Sequence, residues 1–127
     1  MNKELTEKLW NNFPLTYSNK VGFEHDDGWY DIVRGMSERI EAVLQEQDYS
    51  PSRVEPFFLM RQIKQKFATL TVYYNNNCND KEIEDAVEEA YQKSKKTCEI
   101  CGKEGKVSGQ RYIRTLCDAH GTSFNFN

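Results

Sequence analysis

Cys98-x2-Cys101 and Cys117-x2-His120 are two metal-ligand pairs separated by fifteen residues, and no other feature restricts the chain as much. A two-residue gap lets both members of a pair reach one ion from a single tight turn, and tetrahedral zinc takes four such soft or borderline donors. The loop length between the pairs is typical of zinc ribbons and related fingers. The spacing therefore predicts one structural Zn2+ held by Cys98, Cys101, Cys117 and His120, with no coordination position left open for catalysis. The rival readings are free thiols or a Cys98–Cys101 disulfide. Glutathione and thioredoxin disfavour the disulfide in a reducing cytosol.

The residues around the ligands agree with this reading. Cys98-Glu99-Ile100-Cys101-Gly102-Lys103 has the form of a zinc knuckle, in which backbone amides donate to the thiolates and the glycine takes a positive φ. The second pair is expected at a helix start or a second knuckle. Between the pairs, Lys106–Ser108 and Arg111–Arg114 flank Gly109-Gln110, which predicts a short hairpin. A segment of thirty residues, 98–127, buries too little apolar surface to fold alone. Metal binding, of order 10 kcal/mol, would then supply much of its stability.

The 127 residues suit one core domain over 1–97 with the zinc-binding module of 98–127 fused to it. Leu5, Leu9 and Phe13 recur every four residues up to Pro14, which predicts a helix over 3–12. An ordered loop follows to Gly28. Asp26 and Asp27 are expected to cap a long helix over 28–47, whose apolar stripe is Trp29, Ile32, Val33, Met36, Ile40, Val43 and Leu44. Turn chemistry at Asp48–Ser52 ends it. Phe57–Ile63 and Phe67–Tyr74 read as two strands, with a helix over 59–67 as the alternative. Asn79 and Glu82 approximate a capping box for a helix over 80–96 with Ile83, Val87, Ala90 and Tyr91 on its inner face. The expected fold class is α+β: helices packed on a small antiparallel sheet, with a C-terminal zinc ribbon-like module.

Charge is unevenly placed. Residues 1–50 carry five Lys/Arg against ten Asp/Glu, and residues 93–127 carry seven against three, within a net charge of −3. An acidic whole argues against a dedicated nucleic-acid binder, but a local basic patch still attracts phosphates. Lys103, Lys106, Arg111 and Arg114, with Tyr112 between them, are the candidates for such contact; their alternative role is a solvated surface. The first residues are charged and hold no apolar run of signal-peptide length, and no stretch approaches a membrane span, so a cytoplasmic protein without membrane contact is expected. Oligomeric state is open.

Other candidate sites are weaker. Cys78 lies in an Asn-rich turn and reads as a plain thiol. His25 beside Asp26 and Asp27 could form a second metal or acid–base site, but capping already explains the aspartates. Phe57, Phe58, Phe67, Tyr73 and Tyr74 could stack on bases, although core packing is the commoner fate of strand aromatics. No phosphate cradle or nucleophile elbow occurs. A non-enzymatic protein is therefore expected, a small nuclease being the least favoured alternative.

Asp27-Gly28-Trp29-Tyr30, then Gln62–Leu70 leading to Tyr73-Tyr74, then Thr97–Gly102 with Arg114–His120 together resemble a family of small, largely uncharacterised proteins of bacteriophages and prophages. The likeness covers about two thirds of the chain. At Ala68 the family pattern has glycine. The resemblance implies no catalytic residue and maps only the zinc ligands. It implies a phage-type interaction protein in a host bacterial cytoplasm, binding a host protein such as a component of antiviral defence; the alternative, drawn from the seven Lys/Arg of residues 93–127, is nucleic-acid binding through the basic zinc module.

Overall fold

A computed structural model describes residues 1–50, 58–77, 80–109 and 113–124, with side chains given to residue 121. The first helix, α1 (Lys3–Asn12), is capped by Asn2, whose side chain accepts from the Leu5 amide. Its buried Leu9 lies on the predicted apolar row. Next come a short strand β1 (Phe23–Glu24), a 3-10 turn (Asp27–Trp29) and the long helix α2 (Tyr30–Glu46). Helix α2 buries Val33, Met36, Ile40, Val43 and Leu44, the stripe that the 3.6-residue period selects. Neither aspartate caps it as expected. Asp26 makes no side-chain cap bond, and the Asp27 carboxylate instead accepts from the backbone and side-chain nitrogens of Asn2 at 2.8 and 2.9 Å.

Strands β2 (Phe58–Lys66) and β3 (Thr69–Asn76) form an antiparallel hairpin with a bulge between Met60 and Gln62. Segment 59–67 is thus strand and not helix up to Lys66. The turn falls at Phe67-Ala68, both with positive φ of 51° and 69°, so β2 runs past its expected end at Ile63 to Lys66, while β3 starts at Thr69, after the expected Phe67, and runs past the expected Tyr74 to Asn76. A two-residue loop with both residues left-handed matches the right-handed twist of the flanking strands, and Lys64–Lys66 prolong β2, paired with Thr71, Leu70 and Thr69. The sheet is mixed and not purely antiparallel. Strand β1 lies parallel to β2, pairing Phe23 with Ile63 and Glu24 with Lys64, in the order β1-β2-β3. Two residues of strand inside a stretch without alternation leave no period for sequence reading to detect.

Helix α3 (Lys81–Ser94) starts at Asp80, whose carboxylate accepts from the amides of Glu82 and Ile83; Asn79, the expected cap, lies outside the described residues. Ile83, Ala86 and Ala90 are buried against α2 and β3. The core gathers Leu9, Phe13, Tyr17, Trp29, Ile40, Phe58, Ile63 and Leu70 from all these elements. Buried Glu41 is satisfied by the Thr16 amide and hydroxyl, each at 2.8 Å, and the Leu15 amide at 3.2 Å. Its carboxylate thereby fixes the loop after α1 onto α2, since an unpaired buried carboxylate would be far too costly. Burial raises the Tyr17 hydroxyl well above its ordinary pKa, the Ser37 hydroxyl opposing this and the Glu41 carboxylate adding to it. Beyond α3, β4 (Lys106–Ser108) pairs antiparallel with β5 (Arg114–Leu116), and α4 (Asp118–Phe124) follows. No helix among the described residues is long and apolar enough to cross a membrane.

Candidate metal centre

The turn after α3 brings Cys98 and Cys101 to one point. The Gly102 amide donates to the Cys98 carbonyl at 2.9 Å, and the Cys98 amide donates to the Lys103 carbonyl at 2.7 Å. Gly102 has φ +81°, the left-handed conformation in which the knuckle needs glycine. Cys117 precedes α4, and the Gly121 amide donates to its carbonyl at 2.7 Å. One helical turn beyond Cys117, His120 faces back across the same point. The ligand atoms of Cys98, Cys101, Cys117 and His120 all lie within 4.8 Å of one another.

The individual separations are informative. Cys101 Sγ lies 3.6 Å from Cys117 Sγ, and His120 Nδ1 lies 3.4 Å from Cys98 Sγ and 3.2 Å from Cys117 Sγ. Zinc–ligand bonds of ~2.3 Å to sulfur and ~2.0 Å to nitrogen give tetrahedron edges of about 3.8 Å and 3.5 Å. A disulfide requires sulfurs ~2.05 Å apart, so Cys101 and Cys117 are not bonded to each other. Cys98, Cys101 and Cys117 are all free thiols.

The electrostatics favour a cation at the centre. Burial pushes the Cys98 thiol up, but the backbone amides of Cys117, Cys101 and Ile100, with the His120 ring, outweigh it and bring its pKa down to about 6. For Cys101 the Lys103 amide pulls down; burial and the sulfurs of Cys117 and Cys98 overcome it, and the pKa is raised. The Cys98 thiolate is thus stabilised, and ionisation of Cys101 beside it is opposed. A divalent ion removes that opposition, because sulfur binds metal as thiolate. These four residues could hold a metal ion, and the donor set suits zinc.

The centre is bound tightly to the core. Gly28 donates to the Glu99 carbonyl at 2.7 Å, and a Cβ on Gly28 would sit 2.3 Å from the Cys98 carbonyl oxygen and 2.4 Å from that of Glu99. The Trp29 indole donates to the Thr97 carbonyl at 2.8 Å, and the Asp26 amide donates to Glu99 Oε2 at 3.0 Å. Arg114 pairs with buried Glu99 at 3.0 Å and also with Asp26. Thr115 donates its hydroxyl to the Ala68 carbonyl at 2.8 Å. Close approach at 68 is therefore present although the residue is alanine and not glycine.

Among the other predicted candidates, Lys103 and Lys106 are exposed and line a groove of about 640 Å³ that runs past Cys101, Cys117 and His120. Arg114 is separated from them in role, since two carboxylates engage it. Arg111, Tyr112, Phe57 and Cys78 lie outside the described residues. His25 is buried, its Nδ1 2.8 Å from the Asp26 carbonyl oxygen. Asp26 and Asp27 are taken up by Arg114 and Asn2, so these three do not converge. Phe58 and Tyr74 pack together on the core side, ring centroids 5.9 Å apart, whereas Phe67 and Tyr73 are exposed. Sequence reading missed Glu99 and Gly28 as the residues that dock the centre. Their only sequence signal is position, next to a ligand and at the start of a helix.

Comparison with known proteins gives no match to a family model, to a curated protein or to a solved structure.

Proposed function

We propose that this chain is a small zinc protein that works by binding another macromolecule, with the metal holding its C-terminal segment in shape. The observation that carries this reading is the convergence of three sulfurs and one imidazole nitrogen within 4.8 Å, at separations close to the edges of a zinc tetrahedron. With four protein donors the ion has no open position, so its part is structural: it would replace the hydrophobic core that so short a segment cannot build. A zinc ribbon-like unit, β4–β5 beside the knuckle, describes this end of the chain best.

For the partner, the likeness to small phage proteins supports a host protein in a bacterial cytoplasm, an antiviral defence component among the candidates. Tagged protein should retain one host protein at constant stoichiometry, and a Cys117→Ser variant, which lacks a ligand, should lose it. Retention of nothing, or equal retention by the variant, would refute a partner held through the metal-ordered segment. A second reading is favoured by Lys103 and Lys106 on the groove beside the centre: phosphate contact by the basic module. A salt-independent interaction with nucleic acid, or one unchanged by replacing both lysines, would contradict it.

A further inference from the structure

The β2–β3 hairpin shows one face to the helices and the other to solvent. Register places Phe58, Met60 and Ile63 with Leu70, Val72 and Tyr74 on the covered face. The opposite face carries Gln62, Lys64 and Lys66 on β2 and Thr69, Thr71 and Tyr73 on β3, because paired residues point the same way. Arg61, exposed in the bulge, joins this second face beside Gln62 and Tyr73, where they and Glu24 line a cleft of about 470 Å³.

The chemistry of this face differs from the acidic balance of the whole chain. The protein has a net charge of −3, yet among the described residues Arg61, Lys64 and Lys66 share this face with one carboxylate, Glu24, which accepts from Gln62 Nε2 at 2.7 Å. Among the described residues, neither Arg61 nor Lys64 forms an ion pair. Two aromatic rings lie on it uncovered: Tyr73 is 41% exposed and Phe67, at the turn, 73%. The Lys66 ammonium spans them, 3.3 Å from the Tyr73 hydroxyl and 5.9 Å from the centre of the Phe67 ring. Phe67 also has a left-handed backbone, where asparagine or glycine costs less, and its exposed ring recovers none of that cost by burial.

We infer that this face binds single-stranded nucleic acid, with Tyr73 and Phe67 stacking on bases and Arg61, Lys64 and Lys66 contacting phosphates. Rings offer stacking area to any base, and cations between them follow the backbone, which is how sequence-tolerant single-strand binders work. From Arg61 to Lys66 the platform spans about 16 Å of strand, room for a short run of nucleotides. Gln62 and Glu24 beside Tyr73 supply a donor–acceptor pair for a base edge in the cleft. A duplex hides its bases within the stack and cannot use the rings. The surface lies outside the metal centre, so its test and that of the zinc reading are separate.

The experiment is fluorescence anisotropy of the full chain as purified with labelled oligo-dT, oligo-U and a duplex of equal length. Single strands should bind more tightly than the duplex. With three phosphates contacted, affinity should fall about eighteenfold between 50 and 200 mM salt. Tyr73→Ala and Lys64→Glu should each weaken binding about tenfold, with melting temperatures showing that the variants fold. Amide shift mapping on the unmodified protein should place the perturbations on β2 and β3, a readout that needs no variant. The inference is overturned if no single strand binds at 100 μM protein, if the duplex competes equally, if both variants bind like the parent, or if the shifts or the losses follow Lys103 and Lys106 instead.

Discussion

Gly28 meets the carbonyls of Cys98 and Glu99 so closely that a methyl group there would overlap both. Backbone lies on each side, so neither partner can yield cheaply. Gly28→Ala should lower the stability of the zinc-loaded protein by roughly 3 kcal/mol, read as the urea midpoint with an unchanged slope. A change under about 0.5 kcal/mol would show that the segment is not docked there. Phe67 offers the opposite sign: its ring is exposed while its backbone is left-handed. Phe67→Asn should therefore stabilise the hairpin by about 0.5–1 kcal/mol. His25 gives a pH dependence. Burial, as the largest influence, holds its imidazole pKa below the usual 6.5, and Nε2 has no hydrogen-bond partner among the described residues. As pH falls below about 6.5 the unfolded chain takes up the proton before the folded one does, so His25 subtracts stability in that range. The ring-proton titration in the folded protein should give a midpoint below 6.5; a midpoint at or above it would contradict the burial described.

Helices and ligands were legible in different ways. Helices α1, α2 and α3 follow from apolar rows at three- and four-residue spacing, because one side of each meets the core and the sequence must record which side. The convergence of Cys98, Cys101, Cys117 and His120 was legible because their types and spacing are those that a shared metal ion would require. Strand β1 and the mixed sheet were not: two residues contain no period, and parallel pairing to β2 is decided by tertiary contact. The ends of β2 and β3 were misjudged because the turn uses Phe-Ala, where turn chemistry would call for Asn-Gly. Asp26 and Asp27 looked like helix caps, yet long-range partners, Arg114 and Asn2, claim them. Arg114 had looked like a free cation for the same reason: sequence cannot show a partner eighty-eight residues away. At this level Arg114→Ala should cost about 2–3 kcal/mol by leaving Glu99 buried without its cation, measured by thermal unfolding of the zinc-loaded protein, whereas a surface arginine would cost little.

Across the molecule, two sources of stability meet. The main core is closed by helices on one face of a three-stranded sheet, while among the described residues the hydrophobic cluster of the C-terminal unit is small: Cys98, Leu116 and Cys117. Two of those three residues belong to the candidate metal cluster, so on the reading proposed above a bound ion would supply cohesion at that end. Chelation should accordingly raise hydrogen exchange over 98–121 first and leave α2, α3 and the β2–β3 hairpin protected; uniform loss of protection would mean that the two parts stand or fall together. The most direct measurement is metal content with ligand identity: elemental analysis of protein purified without added metal, followed by cobalt substitution. The account predicts one zinc per chain, an intense thiolate-to-cobalt charge-transfer band with tetrahedral ligand-field absorption, and loss of that signature in Cys117→Ser. Protein without stoichiometric metal, or a cobalt spectrum lacking sulfur ligation, would contradict it.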